Sequence, residues 1–181
     1  MTKTLDIKGI TEWINDALCK IVPGIKTYGI AKIAARENGI TEPYSDGKPV
    51  SVDNTYPAQA YHKQLSISST TVPNSGYGDN DQSLQNSYGM ALIVYFNEEK
   101  CGFSADKLYT FIQSSITGRL KSNGYRSVRV GVTSAILNDP SVWAQEYGAT
   151  QYKLAGPQRL IQVNYSVTMV FDKECMAIPQ C

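Results

Sequence analysis

The chain reads as one α+β domain over residues 1–181, an antiparallel or mixed β-sheet with helices packed on one face and long loop excursions. Three observations predict it. Two segments carry the three-to-four-residue apolar spacing of one-sided helices. Others alternate every second residue or form an apolar run of strand length. Helices and strands are intermixed with no internal repeat, the order expected of an α+β sandwich.

The first helix is marked by Ile10, Trp13, Ile14, Ala17, Leu18 and Ile21, and Pro23-Gly24 stops it. Residues 27–36, TYGIAKIAAR, mix small and β-branched residues with too few polar positions for an exposed helix, which predicts a strand. From about residue 37 to 60 the chain carries Gly39, Pro43, Gly47, Pro49 and Pro57, predicting an extended loop with a short pairing at 50–52. Tyr61, Lys63, Leu65 and Ile67 mark a further strand. It leads into a Ser/Asn/Gly/Asp-rich stretch, about 68–87, predicted as a second extended loop.

YGMALIVYFN, residues 88–97, is a nearly continuous apolar run and predicts a central strand. Ser104 is a natural N-cap for a helix whose Leu108, Phe111, Ile112, Ser115 and Ile116 trace one face as far as Gly118, with Asp106 in the first turn where the dipole favours a carboxylate. Val128, Val130 and Val132 alternate with Arg129 and Gly131, giving a strand with one buried face. Asp139 before Pro140 opens a short helix through Tyr147. Residues 159–172 alternate Ile161, Val163, Tyr165, Val167, Met169 and Phe171 against mainly polar neighbours, the clearest strand in the chain.

With 17 basic and 16 acidic residues the net charge is near zero, and no long like-charge run occurs, which argues against a strong nucleic-acid binder or an acidic disordered tail. A charged share of 18% lies below the roughly 25% of ordinary soluble proteins. Twelve tyrosines against four phenylalanines suit either contact with other protein or a β-rich fold. No window approaches a membrane-spanning length, so a soluble protein made in a cytoplasm is expected. The four cysteines, Cys19, Cys101, Cys175 and Cys181, lack zinc-site spacing and are expected to be free thiols there.

The chemistry-bearing residues are few. His62 is the only histidine, it lies in a strand pattern, and no GxSxG elbow accompanies it, so no catalytic residue is assigned. GYGDND, residues 76–81, lacks both the GK[ST] of a phosphate loop and the ligand spacing of a calcium hand, so neither metal nor cofactor is expected. Lys121, Arg126 and Arg129 are too few, without interleaved aromatics, to signal a nucleic-acid groove. Tyr56, Tyr61, Tyr77, Asp79, Asp81 and Leu84 are the candidate oligomer or partner contacts, since they sit on or beside the two excursions.

YGMALIVYFNEEKCGFSADKLYTFI, SAILNDPSVWAQEY and RLIQVNYSVTMVF resemble segments of small virion structural proteins of tailed bacteriophages of Bacteroidetes, the crAss-like group among them. The resemblance covers residues 88–172 best. It implies a tail-terminator-like α+β sandwich with no enzymatic activity, placed in the neck or upper tail of the virion as a ring, tail-terminator or head-completion protein. It further implies a homo-oligomer of six-fold or twelve-fold order that meets portal, neck or tail proteins, has DNA only as channel content, and contacts no membrane. A rigid core with loops reaching neighbours is what such a subunit needs. The other reading is a small hydrolase, or a ligand- or carbohydrate-binding module, that uses its tyrosine-rich loops as a stacking platform. The 68–87 stretch has little apolar surface to offset the roughly 1 to 2 kcal/mol of backbone entropy lost per ordered residue, so it is expected to order only against a neighbouring subunit.

Overall fold

The computed structural model describes residues 6–35, 41–73, 82–120, 125–147 and 156–171. The elements run α1 (Ile7–Ile21), β1 (Lys26–Ile30), β2 (Lys32–Ala35), β3 (Thr41–Ser45), β4 (Lys48–Pro49), β5 (Ala58–Pro73), β6 (Gln82–Asn97), α2 (Glu98–Cys101), α3 (Ala105–Ile116), β7 (Gly118–Leu120), β8 (Ser127–Leu137), α4 (Pro140–Tyr147) and β9 (Gln158–Phe171). Six strands form a curled mixed sheet in the order β1-β5-β6-β9-β8-β7, and β2-β3-β4 form a small second sheet. The only parallel pair described is β1 with β5. This is the α+β architecture expected.

Both long helices are defined by their sequence. Asp6 caps α1, its carboxylate accepting from the Gly9 amide at 2.7 Å, and the Ser104 hydroxyl accepts from Lys107 at the start of α3. Their apolar stripes, Ile10, Ile14 and Leu18 on α1 and Leu108, Ile112 and Ile116 on α3, are fully buried on one face of the sheet. The sheet answers with every second residue: Met90, Leu92, Val94 and Phe96 of β6, and Ile161, Val163, Tyr165, Val167 and Met169 of β9. Among the described residues, the opposite face is covered at one end only. There Tyr61, Ala91, Ile93 and Leu160 pack with Ala31, Val50 and Val142, the last from α4.

The structure corrects three expectations. The 27–36 strand is two strands in different sheets, because after Ile30 the chain leaves β5 and β2 pairs with β3 instead. Within the first excursion, β3 and β4 form a hairpin around Asp46-Gly47, whose φ angles of 51° and 74° are both positive, as a two-residue primed turn requires. Residues 50–52 form no strand, although Val50 still donates its amide to the Pro43 carbonyl at 2.8 Å.

The third correction is the largest. Most of the stretch expected as a loop from 68 to 87 continues β5 and β6 as an arm of the sheet, paired from Ser68↔Ser87 through Pro73↔Gln82, and its β6 half is paired on the other side with β9 from Leu84↔Phe171 to Ser87↔Thr168. A ribbon needs backbone partners and an extended backbone, both of which Ser, Thr and Val provide, so its side chains need not be apolar. The pairing partners of the arm are thus β6 and β9 of the same chain. Residues 74–81 at its tip lie outside the described residues.

Candidate functional site

The sequence-selected contact residues scatter. Tyr61 is 2% exposed and belongs to the second core cluster, so its ring is packing material rather than a contact surface. Tyr56 is 37% exposed, but the Lys26 ammonium lies 4.9 Å from its ring centroid and 5.4 Å from that of Tyr28. The face a sugar would stack on is thus shared with a cation. The hydrogen bond with Tyr28, and then the nearby tyrosines and Asp53, hold the Lys26 pKa above its ordinary value. Leu84 is half-buried in the arm, opposite Thr71 on one side and Phe171 on the other. Tyr77, Asp79 and Asp81 lie outside the described residues, as do Cys175 and Cys181. Cys19 and Cys101 are free.

His62 is buried completely, and its tautomer is set by its neighbours. The Asn15 side-chain amide donates to the Tyr28 carbonyl at 3.0 Å, which turns the Asn15 Oδ1 toward His62 Nε2, 3.0 Å away. Nε2 therefore carries the proton. Nδ1 is left as an acceptor, and the Tyr165 hydroxyl donates to it at 2.8 Å. Burial pushes the His62 pKa down to about 3 and the Tyr165 hydroxyl up. This neutral chain of hydrogen bonds ties α1 to β1, β5 and β9. It is a core fastening with no open path to a substrate, and among the described residues no His/Cys/Asp/Glu cluster could hold a metal ion.

The half of the sheet's second face that no described element covers is polar. One row across four strands reads Arg119, Arg129, Thr168, Ser87, with Ser68 completing it on β5. Arg119 and Arg129 are direct cross-strand partners, both exposed, and their neighbours in the open hollow are Thr117, Gly118, Gly131, Ser166 and Thr168. Further along, Asn164 donates to the Ser134 hydroxyl at 2.9 Å and accepts from Gln162 at 2.8 Å, so this asparagine is engaged within the sheet.

What sequence reasoning missed is the outer edge of β5. β1 covers β5 only from Gln59 to His62, so from Gln64 to Pro73 no described strand lies against it. Two large apolar side chains stand on that segment, Leu65 at 54% and Ile67 at 57% exposure. A hollow lined by Ile30, Ala31, Lys32, Ile33, Lys63 and Gln64 opens where β1 ends and the free edge begins. A bulge between Gln64 and Ser66 marks the same point, and there a Cβ on Gly89 would stand 2.5 Å from the Ser66 hydroxyl, so glycine is what admits the close approach. The missed signal was the run LSISSTTV, whose β-branched residues continue beyond Ile67 without a glycine or proline before Pro73. The sequence matches no protein-family model, and no curated protein is detectably similar to it.

Proposed function

We infer that the chain is a non-enzymatic structural subunit of a tailed-phage virion, forming a ring in the neck or upper tail that joins or completes the head–tail channel. One observation supports the reading: the outer edge of β5 from Gln64 to Pro73 meets no described strand and carries two exposed apolar side chains, Leu65 and Ile67, a surface suited to protein contact. The one histidine, the residue most versatile in catalysis, is consumed by packing. Such a subunit meets copies of itself and portal, neck or tail proteins, and encloses DNA as channel content. Native mass spectrometry and negative-stain microscopy of the purified chain test this: closed six-fold or twelve-fold rings are expected, and a strictly monomeric chain absent from purified virions overturns it.

A further inference from the structure

The free edge of β5 can be resolved residue by residue. In an extended strand, the N–H and C=O of one residue point to the same side, and successive residues alternate. The His62 carbonyl accepts from the Ala31 amide at 2.7 Å, so His62 points outward toward β1 and away from β6. Its partner Leu92 then points away from β5, and counting along β6 turns Ala91, Gly89, Ser87 and Gln85 toward β5. Ser66, Ser68 and Thr70 pair with the last three and therefore bond inward. Ile67, Ser69 and Thr71 point outward, and no described strand meets their backbone groups.

Natural edges of this length are guarded by charge, proline, bulges or a covering element. Between Gln64 and Val72 there is no charged residue and no proline, and the one bulge lies at the start. We propose that this edge pairs antiparallel with the same edge of a second copy of the chain, about a two-fold axis near Ser69. Length selects the occupant. Among the described residues, β1 has five residues, β7 three, and the part of β8 beyond β7 runs only from Gly131 to Leu137 and contains a bulge. The edge that matches β5 from end to end is its own copy. Self-pairing meets no like-charge penalty here, and it brings the exposed Ile67 side chains of the two copies onto one continuous surface. The contact rests on the reading of the chain as a self-assembling subunit, joining copies in pairs alongside whatever contact closes a ring.

The alternation supplies the test. Ser69→Pro removes an outward amide that the hairpin does not use, so the monomer should keep its fold, as edge-strand prolines do. Ile67→Lys places like charges on the joined surface. Sedimentation velocity on the full chain should show an assembly with an even number of copies for the wild type. For both variants it should show a loss of paired copies, with the circular dichroism melt unchanged. Amide exchange by NMR, compared between dilute and concentrated wild type, should slow at Ile67, Ser69 and Thr71 by about tenfold or more, while Ser66, Ser68 and Thr70 are protected in both. An assembly that survives both substitutions in folded protein overturns the edge contact and leaves the ring reading standing. A wild type that stays monomeric at high concentration, or whose edge is taken by an unrelated extended peptide instead, overturns self-pairing, and monomers missing from virions overturn the ring reading too.

Discussion

Acid should weaken this fold through a single buried histidine. His62 is buried, accepts from Tyr165 and donates to Asn15, and its pKa in the folded chain is about 3 against an ordinary 6.5. A base whose folded pKa is depressed contributes stability that is complete above about pH 6.5 and is lost as pH falls from there toward about 3. Each pH unit inside that window costs about 1.4 kcal/mol. Relative to neutral pH, the loss is about 1 kcal/mol at pH ~5.5 and about 3 kcal/mol at pH ~4.5, a sizeable part of the roughly 5 to 15 kcal/mol that stabilises a domain. Urea unfolding at about pH 7.5, 5.5 and 4.5, followed by tryptophan fluorescence, measures it. His62→Gln is the reference, because it lacks the titrating ring but keeps every carboxylate, including Asp53 and Asp139, whose pKa values their own hydrogen bonds to Thr55 and Ser141 hold low. The wild type should lose stability more steeply than the variant by the amounts above. Parallel curves for the two would refute the burial argument.

Tyr165→Phe should cost about 1 to 3 kcal/mol at neutral pH in the same urea assay, because it leaves the buried Nδ1 of His62 without a donor while the phenyl ring still fills the site. Arg119→Glu should stabilise the chain by about 0.2 to 1 kcal/mol at low salt, since it converts a directly opposed Arg119–Arg129 pair into an attractive one. The gain should shrink when salt is raised, and a thermal melt at two ionic strengths reads both effects.

The core was legible because its pattern is local. Ile10, Ile14 and Leu18 recur at helical spacing, Ile161 to Phe171 recur at strand spacing, and both stripes point at the same buried layer in the structure. Ser104, Asp139 and the apolar 88–97 run were likewise readable, since a cap or a continuous apolar run acts within a few residues. Three things were not legible from pattern. The split at Ala31 depends on β2 pairing with β3, a choice between partners that TYGIAKIAAR does not itself contain. The β3–β4 hairpin was signalled by Asp46-Gly47, but the prolines on either side of that turn masked it as a loop. Tyr61 looked like surface because tyrosine suits both environments, and only the packing of Val50 and Val142 over it decides that it is core.

The arm shows why hydrophobic periodicity failed at the place that carries the functional reading. Periodicity reports which side chains meet a core, and the arm past Ile67 has almost none: Ser69 offers its hydroxyl to Asn86 at 2.7 Å rather than to an apolar layer. Its order comes from backbone pairing with β6, to which composition contributes only by permitting an extended chain. The same property that made the arm read as a loop, polar side chains on both faces, keeps its outer edge soluble in the free chain. It also weakens register on the β5 side, where residues 66–71 are exposed and no buried face fixes which residue lies opposite which. Pairing that depends on main-chain groups with little side-chain veto is what lets one edge accept another of identical sequence, so the loss of an outward amide at Ser69 or a charge at Ile67 should weaken assembly, whereas neutral substitutions that keep the outward amides should not.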